Sequence, residues 1–161
     1  MSPLPALSPE DAPLPAGQEA PLSRRPTQAE SNPFPYSADN KRYYTWNHYL
    51  RQTFGGKVCK VSLDGGFTCP NIDGTKGVGG CSYCSGRGSG DFAGDPALSL
   101  PQQLAQGVAR LSGKWPDARY IAYFQAHTNT YAPLSSLRQR LESVLGCPGV
   151  VGLSCLLYTS V

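Results

Sequence analysis

Cys69, Cys81 and Cys84 lie in one glycine-rich stretch, and their spacing suits metal chemistry. Cys81-Ser82-Tyr83-Cys84 is a C-x2-C pair, which puts two sulfurs on one tight turn. Cys69 follows Gly65-Gly66-Phe67-Thr68 and enters from the other end of the same loop, with eleven residues between it and Cys81. Structural zinc is normally four-coordinate and closed, so three thiolates without an obvious fourth is an odd count for it. The same count suits an iron–sulfur cluster that keeps one iron open for a substrate or cofactor. Spacing alone also allows a zinc-binding structural or nucleic-acid-binding module, with Cys59 or His127 as fourth ligand. A thioredoxin-like use of Cys81 and Cys84 is weaker, because no helix N-terminus clearly follows to lower a thiol pKa. Gly86-Arg87-Gly88-Ser89-Gly90 lacks the lysine and the strand-to-helix setting of a phosphate-binding loop. His127, a lone histidine near a strand end, is expected to make a structural polar contact rather than to ligate.

The elements that must position these cysteines are legible in outline. Tyr43, Tyr44, Trp46, Tyr49 and Leu50 recur at near-helical spacing through Phe54, before Gly55-Gly56, and such a stripe is expected to pack into a core. Val58 to Leu63 alternates as a strand. Asp64 to Asp95 then forms a loop of about thirty residues with ten glycines, a length usually reserved for function. Asp95 to Leu111 is predicted as a helix, with Leu98, Leu100, Leu104, Val108 and Leu111 on its apolar side. Tyr120 to Phe124 is a continuous apolar strand of the buried, parallel kind. Leu134 to Leu145 is a second amphipathic helix closed by Gly146, and Gly149 to Leu153 begins a third strand. The order βαβαβ predicts an α/β fold with a parallel sheet and right-handed crossovers. Ligands of such sheets sit at the C-terminal ends of the strands, where the cysteine loop lies.

Composition bounds the rest. The chain has 161 residues, room for about one domain. Nine of its 15 prolines fall within residues 1–35, and residues 1–31 are expected to be a disordered, proline-rich leader. This leader has no basic start followed by an apolar core, so a secretory signal is not indicated. Glu10, Asp11, Glu19 and Glu30 argue against an acid-poor transit peptide. No apolar run approaches the ~18 residues that span a bilayer. A cytoplasmic protein with no membrane partner is expected. Without a secretory signal, the six cysteines favour metal or redox chemistry over disulfides, and Cys59, Cys147 and Cys155 are expected as small buried apolar residues. Residues 36–161 carry twelve basic and seven acidic groups, an excess that suits an anionic substrate such as RNA and is also ordinary for a globular domain.

These residues resemble a known family. Lys57 to Gly94, KVCKVSLDGGFTCPNIDGTKGVGGCSYCSGRGSGDFAG, looks like the cluster region of the YhcC-like radical SAM proteins, which are similar in turn to the catalytic subunit of Elongator. Asn32-Pro33-Phe34 and Asn40-Lys41-Arg42-Tyr43 to Trp46 fit that family's start, and Tyr123 to Pro133, YFQAHTNTYAP, looks like its second-strand motif. The most familiar radical SAM spacing is C-x3-C-x2-C; the resemblance is to a family with a longer first gap. It covers about residues 32–154. Residues 155–161 depart from it and resemble vector- or adapter-derived translation, as of a truncated reading frame.

The resemblance implies a partial (β/α)6 barrel, of which residues 32–154 would be the N-terminal βαβαβ part. It implies that Cys69, Cys81 and Cys84 hold a [4Fe–4S] cluster whose fourth iron binds S-adenosylmethionine. Reductive cleavage would give a 5′-deoxyadenosyl radical that abstracts hydrogen from a substrate. Tyr83, Gln125, Thr128 and Asn129 would contact S-adenosylmethionine. An electron donor such as flavodoxin or ferredoxin is implied, and a tRNA nucleoside is the substrate towards which the Elongator likeness and the positive charge point. A chain with about three of six strands would be inactive alone.

Overall fold

The computed structural model describes Phe34 and residues 41–157. The leader and the last four residues, 158–161, lie outside the described residues, as do the expectations that fall on them. In chain order the elements are helix α1 (Trp46–Phe54), strand β1 (Val58–Leu63), helix α2 (Leu100–Ser112), strand β2 (Arg119–Phe124), helix α3 (Leu134–Leu145) and strand β3 (Val150–Cys155). The fold is mixed α/β, with one three-stranded parallel sheet in the order β1-β2-β3. A barrel is not formed by the described residues.

Alternation in the strands sorts the two faces of the sheet. Cys59, Val61 and Leu63 of β1 and Tyr120, Ala122 and Phe124 of β2 point to one face. They pack there with Leu104 and Val108 of α2 and with Leu137, Leu141 and Val144 of α3. Both crossover helices therefore cover the same face. Gly107 makes this close approach possible, because a Cβ at that position would run into Cγ1 of Val61. The opposite face carries a smaller cluster, in which Leu50 of α1 meets Val58 and Ile121. Beyond that cluster the face is open and polar. Lys60 is exposed, with its ammonium 4.1 Å from the centre of the Tyr123 ring.

Three boundaries differ from the sequence expectation by more than one residue. Helix α1 starts at Trp46, because Thr45 is its cap and accepts the His48 N–H at 3.0 Å. Its aromatic stripe is not core. Tyr43, Tyr44, Trp46 and Tyr49 are exposed, with Trp46 and Tyr49 stacked on each other, and only Leu50 is fully buried. Helix α2 starts at Leu100 rather than Asp95. The Asp95 side chain accepts the Ala97 N–H at 3.0 Å and so makes a turn of its own, while Gln102 Oε1 accepts both the N–H and the hydroxyl of Ser99. Strand β3 runs on through Cys155, which pairs with Phe124. The next residue, Leu156, donates its N–H to Phe124 O at 3.3 Å.

Among the described residues no helix is long and apolar enough to cross a membrane.

Candidate functional site

The long loop between β1 and α2 folds on its own backbone. Cys69 O accepts from Ile72 N and Asp73 N, and Pro70 O accepts from Lys76 N at 2.8 Å. Asn71 O accepts from Gly80 N at 3.0 Å, and an isolated antiparallel bridge joins Asp73 to Val78. This compact turn brings Cys69 and Cys81 back towards one another. Cys84 N donates to Cys81 O at 3.0 Å, which closes the tight turn expected of the C-x2-C pair.

Side chains from the helices hold the two ends of that loop. Gln103 of α2 is 2% exposed. Its Oε1 accepts from Asp64 N at 2.8 Å, and its Nε2 donates to Asp64 O and Leu98 O, each at 3.0 Å. Arg140 of α3 donates to Gly65 O at 2.7 Å and lies 4.6 Å from the Phe67 ring centre. Neither residue was singled out in the sequence. The available signal was a glutamine on the buried side of a helix between Leu100 and Gly107, where an apolar residue is expected.

The loop after β2 docks beside the cysteines, because parallel neighbours open at the same end of the sheet. Thr128 N donates to Thr68 O at 3.2 Å, and His127 N donates to Gly88 O at 3.0 Å. Gln125 Nε2 donates to Ser89 O at 3.0 Å. His127 adopts the left-handed conformation with φ 59°, uncommon for a residue with a Cβ. Its ring packs on Gly88, where a Cβ would collide with the imidazole. Gly88 also has a positive φ, 58°, so glycine suits both the conformation and the contact.

A cavity of about 250 Å³ opens between these loops at the C-terminal end of the sheet. Cys69, Cys81 and Cys84 all line it, together with Tyr83, Gln125, His127 and Thr128. Asn129 does not. It is 1% exposed and both ends of its amide are engaged, Nδ2 donating to Ala126 O at 2.7 Å and Oδ1 accepting from Leu156 N at 2.6 Å. This clasp ties the β2 loop to the end of β3. Ile72, Leu156 and Leu157 supply apolar wall. Cys59 points to the opposite, helix-covered face and is buried there, while Cys147 and Cys155 pack at the margin of the same core. All six cysteines are free thiols.

The donor set fits an iron–sulfur cluster. Three thiols face one cavity that no carboxylate lines. Among the described residues no three His, Cys, Asp or Glu side chains are gathered tightly enough to hold one metal ion. A cubane asks for less convergence, since each thiolate takes a different iron. The ring of His127 lines the cavity, with its Nδ1 buried and without a hydrogen-bond partner among the described residues.

The sulfurs are not equivalent. The Tyr83 hydroxyl and the Asn71 amide beside Cys81 hold its thiol below the usual range, and the same contact with Cys81 raises the Tyr83 phenol. Burial pushes the Cys155 thiol up. A lowered pKa leaves more thiolate at a given pH, and thiolate is the nucleophile. Limited alkylation of the metal-free chain near neutral pH is therefore expected to modify Cys81 before Cys155. Peptide mass spectrometry over a time course reads the order, and the reverse order contradicts this account of the site.

Relatives of this chain are recognisable in sequence. It is 56% identical over 125 residues to the uncharacterized protein YtqA of Bacillus subtilis, covering 78% of this chain and 39% of that protein. It is 41% identical over 104 residues to protein YhcC of Escherichia coli, covering 65% of this chain and 32% of that protein. An uncharacterized protein of Methanocaldococcus jannaschii is 32% identical over 108 residues, covering 66% of this chain and 32% of that protein. These matches support a YhcC-like kinship. The chain spans about a third of the length of the curated relatives it matches. No protein-family model and no solved structure matches it.

Proposed function

We propose that this chain carries the cluster-binding part of a radical S-adenosylmethionine enzyme. One observation carries the reading: Cys69, Cys81 and Cys84, from both ends of one loop, wall a single cavity at the C-terminal end of a parallel sheet. Their thiolates would hold a [4Fe–4S] cluster with S-adenosylmethionine beside it. When bound, that pair supplies one-electron cleavage of a sulfonium and removal of a hydrogen from substrate. The chain's own residues position and shield. Gln125, Thr128 and Tyr83 offer polar groups in the cavity wall, and Asn129 holds the loop that presents the first two. Ile72, Leu156 and Leu157 supply the apolar part of that wall.

Further parts of the proposal rest on the family resemblance and on the excess of basic residues. The open face bearing Lys60 and Tyr123 would become the interior of a partial barrel once further strands are added. A low-potential donor such as flavodoxin or ferredoxin would reduce the cluster, and a tRNA nucleoside is the proposed substrate. Six free thiols are consistent with work in the cytoplasm.

The test is anaerobic reconstitution of the full chain with iron and sulfide, followed by counts of iron, sulfide and zinc. Roughly four irons per chain are expected. Stoichiometric zinc without iron would overturn the proposal in favour of a closed zinc site.

A further inference from the structure

Two of the three cavity cysteines accept hydrogen bonds from uncharged side chains. Asn71 Nδ2 donates to Cys81 Sγ at 3.1 Å, and Thr128 Oγ1 donates to Cys69 Sγ at 3.2 Å. Each donor is fixed by backbone bonds close to the sulfur it serves. Asn71 O accepts from Gly80 N, next to Cys81, and Thr128 N donates to Thr68 O, next to Cys69. Thr128 is 7% exposed, so little water competes for its hydroxyl. The two donors come from different parts of the chain, Asn71 from within the cysteine loop and Thr128 from 59 positions beyond Cys69.

A thiolate can only accept, and an amide N–H or a hydroxyl is a donor it can use. Such a bond is worth more to a sulfur that carries more negative charge. Adding one electron to an iron–sulfur cluster raises the charge on its sulfurs, and no proton need move. Donors already in place therefore favour the reduced state, and hydrogen bonds to the sulfurs are among the factors that set cluster potentials. We infer that Asn71 and Thr128 are positioning residues which hold the Cys81 and Cys69 sulfurs and raise the reduction potential of the cluster carried there. This rests on the cluster reading above. It gives Thr128 a role through Cys69, besides its place in the cavity wall.

Thr128→Val keeps the shape and removes the hydroxyl, and Asn71→Leu keeps the branched outline and removes the amide. Each is introduced into the full chain, which is reconstituted and titrated with a one-electron reductant while the reduced cluster is followed by electron paramagnetic resonance. Each variant is expected to lower the reduced-to-oxidised ratio at a fixed potential about tenfold, which is about 59 mV for one electron. Thr128→Ser, which keeps the hydroxyl, is expected to titrate like the wild type. Wild-type midpoints in Thr128→Val and Asn71→Leu, at unchanged iron content, overturn the inference and leave the cluster reading standing. A wild-type chain that takes up no iron and sulfide overturns both. Should a variant fail to load, the wild type decides alone. Its reduced cluster in heavy water should show exchangeable deuterium couplings from the two donors, and their absence overturns the inference.

Discussion

Replacing Cys69, Cys81 or Cys84 with alanine is expected to abolish the brown colour of the reconstituted chain and to reduce its iron from roughly four per chain to near none. Each of the three sulfurs lines the same cavity, and a cubane that loses one of three protein ligands has no substitute thiol within that wall. Cys59 cannot step in, because it sits on the helix-covered face of β1 at 8% exposure. The matching control is Cys147→Ala, which removes a thiol from the core margin. It is expected to keep its iron. Iron and sulfide analysis of the four variants, with their absorption spectra, checks this. Equal loading of a cavity variant and Cys147→Ala would show that the cluster, if present, is held elsewhere.

Gln103→Leu is expected to destabilise the chain by about 3 kcal/mol and to weaken metal loading at the same time. Leucine fills similar space but leaves Asp64 N, Asp64 O and Leu98 O without the partners that Gln103 provides. Buried polar groups stranded in this way cost on the order of 1–3 kcal/mol each, and some of the cost is recovered as water reaches the loop. Asp64 is the first residue after β1, so the start of the cysteine loop is released with it. Gln106→Leu is the control, since the same chemical change there falls on the exposed side of α2. It is expected to shift stability by no more than about 0.5 kcal/mol. Urea melts of both variants, followed by iron uptake, make the comparison. Coincident melts would show that Gln103 does not anchor the loop.

Local signals in the chain were enough for several parts of this structure. Leu134 to Leu145 forms a helix with the predicted bounds, because its apolar spacing and the following Gly146 are both local. The strand Val58–Leu63 and the parallel run ending at Phe124 were readable from alternation and from continuous apolar character. The tight turn from Cys81 to Cys84 and the glycine-rich loop that carries it were legible from spacing alone, since a C-x2-C turn needs no distant partner. Where local signals competed, the prediction slipped. Apolar spacing extended α2 back to Asp95, yet the Asp95 turn and the Ser99–Gln102 cap hold that segment out of the helix.

Other features were decided only when distant segments met. The aromatic stripe of α1 has helical spacing, but spacing does not say which face finds a partner, and in the folded chain Leu50 does. Gln103 reaches Asp64 from 39 positions away, and Asn129 clasps Leu156 across 27. Thr128 was expected beside S-adenosylmethionine, and only the fold brings its hydroxyl to the Cys69 sulfur. The amino-acid sequence by itself determined which thiols could act together, because their loop is continuous. Tertiary structure decided the rest of their surroundings, because Thr128, Leu156 and Leu157 follow β2 and β3 and the anchors Gln103 and Arg140 come from α2 and α3, whose register and packing against β1 exist only in the assembled sheet.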